Sequence, residues 1–124
     1  MGKQVHNDVL DGMLNIIKNN ATSQIVCSGV AAPVDRAAAL AAALATVAMT
    51  GTDFTLADDT SGRKVTSGAK AGVLIDASGD ATHICYIDAT RLLYATTCTP
   101  QTLTANGTNT VSLPAWKIGV ADPV

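Results

Sequence analysis

Apolar residues recur at helical spacing in one strong run, where Val9, Leu10, Met13, Leu14, Ile16 and Ile17 fall between Asn7 and Asn20. The spacing predicts an amphipathic helix over 7–20, with Asn7 or Asp8 as N-cap, Asp11, Asn15 and Lys18 on its polar face, and Asn19-Asn20 as its stop. Gly12 inside that run weakens it by about 1 kcal/mol relative to Ala, so docking has to hold the helix in place. Ile25 and Val26 mark a short strand over 24–28 that Gly29 ends. Pro33 and Asp35 then resemble a helix start. The alanine-rich stretch behind them, with Leu40, Leu44 and Val47 as a narrow apolar stripe, predicts a second helix over 35–49.

From Gly51 onward the helical period gives way to short β segments between Gly, Asp and Ser turns. Strands are predicted over 54–56, 63–66, 71–75, 82–87 and 92–97, with turns at 77–80 and 88–91. Pro100 lacks a backbone donor and is expected to break the strand after Thr99, with another beginning at Gln101. Asn106-Gly107 is a hairpin signal leading into 110–113. After Pro114 comes a last strand in which Trp116, Ile118 and Val120 share one face and Lys117 takes the other. No internal repeat or linker divides the chain. The expectation is therefore one α+β domain over 1–124, in which an N-terminal helix, with the second helix at 35–49, packs on a mainly antiparallel, β-sandwich-like meander spanning 54–120.

Composition adds a hint about use. Of 124 residues, 48% are apolar and only 15% are charged, against roughly 25% charged in ordinary globular chains. The surface must be clothed largely in Thr, Ser, Asn and Gly, which leaves few charges to oppose association. A net charge of −2 with eight scattered basic residues argues against nucleic-acid binding. The apolar block 37–49 falls short of the ~20 residues that cross a bilayer, so no membrane span is expected. The first residues run into an amphipathic segment rather than an export signal, which points to synthesis in the cytoplasm.

Groups able to do chemistry are sparse. Cys27, Cys85 and Cys98 lack metal-ligand spacing and contain no CxxC, so buried thiols are the first reading. With a two-residue turn at 88–91, Cys85 falls opposite Tyr94 and Cys98 lies four residues further, about 13 Å along the strand, too far for a disulfide between them. Cys27 remains a candidate disulfide partner for Cys85 or Cys98. His83 and Cys85 share a strand face, but a nucleophilic pair also needs an orienting group and an oxyanion site. Asp53, Asp58 and Asp59 offer oxygens in a loop without the acid, Gly and Glu pattern of a calcium loop, and the chain has no Glu. No cofactor, metal site or catalytic residue is expected, and the chain reads as a non-enzyme.

Several segments together carry a resemblance: Asn7-Asp8-Val9-Leu10-Asp11, Ile25-Val26-Cys27-Ser28, Ser61-Gly62-Arg63-Lys64-Val65, Ala81-Thr82-His83, Asp88-Ala89-Thr90-Arg91-Leu92-Leu93, and Pro114-Ala115-Trp116-Lys117-Ile118 with Asp122-Pro123. In this order the chain resembles a group of small structural proteins of tailed-bacteriophage virions, although 36–49 is richer in alanine than that group. The resemblance implies a virion protein made in the bacterial host cytoplasm. It would serve as a capsid decoration or cement protein on the head lattice, or alternatively in the neck, collar or tail. Implied partners are the major capsid protein or other virion proteins, and copies of the chain itself in a homo-oligomer. No catalytic residue carries over. The candidate contact surfaces are the first helix, through Leu10, Leu14 and Ile17, and the last strand, through Trp116, Ile118 and Val120. A small receptor- or glycan-binding β module is a further alternative, for which aromatic residues, at 3%, are scarce.

Overall fold

The computed structural model describes residues 6–121. The N-terminal stretch read for export and the Asp122-Pro123 pair lie outside them. In chain order the elements are helix α1 (Asn7–Asn20), strand β1 (Ser23–Cys27), helix α2 (Arg36–Ala41), β2 (Ala43–Ala48), a 3-10 turn (Gly51–Asp53), then β3 (Phe54–Asp58), β4 (Arg63–Ser67), β5 (Lys70–Leu74), β6 (Gly79–Ile87), β7 (Leu92–Leu103), β8 (Thr110–Leu113) and β9 (Trp116–Val120). The fold is α+β, with an N-terminal helix on mostly antiparallel strands. Among the described residues no helix is long and apolar enough to cross a membrane.

The described residues form three sheets, ordered β2-β1-β6-β7, β3-β4-β9 and β5-β8. The four-stranded sheet is the centre. Its strands alternate side chains between two faces. Gln24, Val26 and Tyr86 point toward the other two sheets, while Ile25, Cys27, Cys85 and Ile87 point to the opposite side under Ala39 of α2. One core, built from Leu14, Ile17, Met49, Phe54, Val65, Tyr86 and Ile118, joins α1 and the three-stranded sheet to the centre. Another, with Val26, Leu44, Val73, Ile75, Leu103 and Leu113, seats the β5-β8 pair.

The predicted helix over 35–49 is corrected. Asp35 does cap a helix, accepting from Ala38 N at 2.8 Å, but that helix ends at Ala41. The rest becomes β2, paired antiparallel with β1 from Ser23↔Ala48 to Cys27↔Ala43. Local alanine propensity loses here to tertiary demand, since β2 fills the free side of β1 and buries Leu44 and Ala45.

Smaller corrections share the same cause, that pairing is decided at a distance. The N-cap of α1 is His6, whose Nδ1 accepts from Asp8 N at 3.0 Å, rather than Asn7 or Asp8. Pro100 does not end a strand, because β7 runs from Leu92 to Leu103 as the edge of its sheet with a register shift opposite Ala81 to His83. Asn106-Gly107 does turn the chain, with Gly107 at φ 87° and Asn106 Oδ1 accepting from Thr108 N and Asn109 N. Yet β8 then pairs with β5 rather than folding back on β7 as a hairpin. β9 likewise returns to β4, with Val65↔Ile118 at the centre of the register.

Candidate functional site

α1 carries more apolar surface than its sheet covers. Leu10, Leu14 and Ile17 are buried, while Val9, Met13 and Ile16 are 65%, 61% and 48% exposed. On a helix these are two adjacent stripes, each with i, i+4, i+7 spacing. One flank is fastened by polar contacts: Asp11 binds Arg63 of β4, and Lys18 Nζ donates to Gly51 O at 2.7 Å and Phe54 O at 3.3 Å. Asp11 and Lys18, read from sequence as the solvated face, are therefore docking contacts. The exposed apolar stripe overhangs the other flank.

Beneath that overhang is an open groove of about 360 Å³, whose walls include Met13 and Ile16 of α1, Leu93 and Tyr94 of β7, and Ile118 and Val120 of β9. β7 and β9 are edge strands of two different sheets, each hydrogen-bonded along one side, among the described residues, to β6 and β4 respectively. Their other sides present backbone donors and acceptors of the kind that a further strand pairs with. An apolar trough beside two sheet edges is a surface suited to association.

The predicted contact residues divide. Leu10, Leu14, Ile17 and Ile118 are buried in the core; Leu14, Ile17 and Ile118 form the floor of the groove and Leu10 does not line it, so the first helix offers a partner chiefly its outer stripe rather than the predicted residues. Periodicity picks out the right helix and strand but does not say which of two apolar stripes faces inward. Trp116 and Val120 are half-buried, with Val120 on the groove and Trp116 turned into an aromatic cluster. Trp116 stacks on Tyr86 with centroids 5.2 Å apart and planes 4° apart, Phe54 meets Tyr86 edge-on at 5.3 Å, and Tyr94 tilts toward Trp116 at 6.0 Å. Sequence reasoning missed the outer role of Val9, Met13 and Ile16 and the contribution of Leu93 and Tyr94. The available signal was the count of six apolar residues over 7–20, more than one sheet-facing stripe requires.

The sparse chemical groups are now placed. Cys27 and Cys85 meet, with Sγ atoms 3.6 Å apart and no disulfide, both fully buried. Cys98 lines a separate groove of about 220 Å³ with Val26 and Ile84, on the opposite face of the central sheet, which removes it as a partner for Cys27. The predicted register is also off by one: Cys85 lies opposite Ala95, and Tyr94 opposite Tyr86. Burial raises the Cys98 thiol above its ordinary value. His83 shares the face of Cys85 and lies opposite Cys27 on β1. Its Nδ1 is 2.9 Å from Thr82 Oγ1.

Asp53, Asp58 and Asp59, the three acids singled out in the sequence, each have a cation. Asp53 binds Lys70 and Asp59 binds Lys117, each at 2.7 Å, and Asp58 binds Arg63 at 2.8 Å. The Lys70 and Lys117 hydrogen bonds, helped by backbone N–H groups of Thr50 and Thr60, hold Asp53 and Asp59 below the usual carboxylate range. Asp88 is held low as well, chiefly by the N–H of Thr90 and also by Arg91. It closes the β6-β7 turn. In the core, neither amide atom of Gln24, which is 1% exposed, has a hydrogen-bond partner among the described residues. Tyr86 lies beside Ser67 and Trp116 without a well-formed hydrogen bond, and burial pushes its phenol up to about 12.

Compared with known proteins, the chain matches no family model, no curated protein and no solved structure.

Proposed function

We propose that this chain is a non-enzymatic structural protein of a tailed-bacteriophage virion, binding the head lattice as a capsid decoration or cement protein. The observation that carries the assembly part of this reading is the α1 overhang, where Val9, Met13 and Ile16 stand exposed over an apolar groove beside the outer sides of β7 and β9. Such a trough accepts an extended segment that offers backbone hydrogen bonds to an edge and alternate apolar side chains to the groove. The head lattice as partner comes from the sequence resemblance. A lattice also suits a modest contact, because many copies bound together gain from multivalency what one small interface lacks.

The polar inventory supports a structural rather than a chemical role. Asp53, Asp58 and Asp59 are engaged by Lys and Arg, the paired thiols are enclosed, and the rings pack on one another instead of forming an open platform for a sugar. Electron microscopy of particles from a phage encoding this chain tests the reading. Copies repeating over the head lattice support decoration. A single ring at the neck or along the tail moves the protein there, and absence from purified particles refutes a virion role.

A further inference from the structure

Cys27 and Cys85 reach each other across 58 positions of sequence, and their sulfurs lie 3.6 Å apart in the core cluster under Ala39. We propose that this pair is an oxidation site, at which a hydroperoxide converts the two thiols into an intramolecular disulfide joining β1 to β6. The inference is independent of the virion reading.

Placement comes first. In the β1-β6 register Cys27 faces His83 and Ile25 faces Cys85, so the two cysteines are diagonal neighbours on one face of adjacent strands. Their sulfurs have to close by about 1.5 Å to reach disulfide length, a distance that side-chain rotation and a small strand adjustment supply. Cys98 stands on the other face and does not compete.

The cover over the pair is thin. α2 has six residues, of which Ala39 is the buried one, and its carbonyl oxygen lies 3.7 Å from Cys27 Sγ. Beyond the Asp35 cap, Arg36 Nε donating to Asp88 O at 2.8 Å is a side-chain bond that ties this helix down. A short helix with so little buried apolar surface opens locally at small cost, and a hydroperoxide such as hydrogen peroxide is not much larger than water.

A proton acceptor is at hand. The Thr82 hydroxyl donates its hydrogen to Gly29 O at 2.7 Å, so toward His83 it acts as acceptor and fixes the proton on Nδ1. Nε2 is then the nitrogen left to accept a proton, on the residue two before Cys85 and on the same face of β6. Within the pair, contact with Cys85 and burial hold the proton on Cys27, and the Cys27 thiol in turn steadies a thiolate on Cys85.

The chemistry balances. His83 takes the proton of the Cys85 thiol, the thiolate attacks one peroxide oxygen, the O–O bond breaks, and the departing hydroxide recovers that proton as water, leaving a sulfenic acid on Cys85. Cys27 Sγ then attacks Cys85 Sγ, forming the S–S bond and expelling the hydroxyl, which leaves as a second water with the Cys27 proton. The sulfurs lose two electrons and the peroxide gains them.

The test is to treat the folded wild-type chain and its Cys98→Ser variant with hydrogen peroxide, quench, unfold, alkylate, and measure intact mass and peptide linkage. The wild type is expected to fall from three free thiols to one, with a Cys27–Cys85 linked peptide. The variant is expected to fall from two to none as a monomer lighter by about 2 Da. In a Cys98→Ser, Cys27→Ser double variant the linkage and the mass loss disappear. Sulfinic or sulfonic acid on Cys85, disulfide dimers of the Cys98→Ser variant, or two alkylated thiols after a dose that oxidises the urea-unfolded variant would each overturn the proposal.

Discussion

Arg63 on β4 grips Asp11 on α1 with a fork of two hydrogen bonds, Nε to Oδ1 at 2.9 Å and Nη2 to Oδ2 at 3.3 Å, while its Nη1 reaches Asp58 at 2.8 Å. Both Asp11 and Asp58 hold the guanidinium above its already high ordinary value. The pair is only partly exposed, and its planar geometry fixes direction as well as distance. It therefore sets which way α1 lies on the three-stranded sheet, and so which stripe of the helix is left outside. Asp11→Ala is expected to speed amide hydrogen exchange through α1 while leaving β1 and β6 at wild-type protection. Unchanged exchange in α1 would show that apolar packing alone positions the helix.

The two stripes of α1 predict opposite phenotypes for similar changes. Leu14 is in the core, and Leu14→Ala should cost about 3 kcal/mol in urea unfolding through lost burial and the cavity it leaves. Met13→Ser, on the outer stripe, should change stability by no more than about 0.5 kcal/mol. The triple change Val9→Ser, Met13→Ser, Ile16→Ser should keep the circular dichroism of the wild type and lose binding to particles. Retained binding would move the contact surface elsewhere.

Gln24 gives a stabilising prediction. Its amide is buried opposite Tyr86 and Val47 with no hydrogen-bond partner among the described residues, so the fold carries its desolvation uncompensated. Gln24→Met keeps the length of the side chain and removes the polar atoms. The variant should be more stable by about 1–2 kcal/mol by urea denaturation; a loss of stability would mean that the amide is satisfied in solution.

Acid and alkali act through different residues. Asp53, Asp59 and Asp88 have depressed carboxyl values in the fold, so their contribution is present above the unfolded value of about 4 and is lost as pH falls through the lower folded values. Tyr86 has the opposite sign: its neutral form is favoured in the fold, so its contribution is whole below about 10 and is lost as pH rises toward about 12. The thermal midpoint should therefore be level from about pH 5 to 8 and fall on both sides. In Tyr86→Phe the alkaline fall should be shallower and the acid fall unchanged. An identical alkaline slope in the two proteins would exclude the phenol as its source.

Local signals were legible in the sequence where one element decides its own structure. α1 follows from its apolar spacing, β1 from Ile25 and Val26, the β6-β7 turn from Asp88, and the facing of β9 from the alternation of Trp116, Ile118 and Val120. What the sequence hid were choices between distant partners. Ala43–Ala48 has helix propensity and is a strand because β1 needs a neighbour. β8 leaves β7 for β5, and β9 crosses to β4, pairings that no turn residue announces. The site was half visible for the same reason. The helix and the last strand were identified, but the inward and outward stripes of α1 separate only once Arg63 fixes its orientation, and Leu93 and Tyr94 join the groove only when β7 is brought beside β9.

Assembly through the outer flank of α1 would be visible in a high-resolution cryo-electron reconstruction of particles from a phage that encodes this chain. Density for the chain is expected at repeating positions of the head lattice, with Val9, Met13 and Ile16 covered by a shell subunit and an added strand against β7 or β9. Particles that lack the chain, or that hold it with this flank open to solvent, would contradict it.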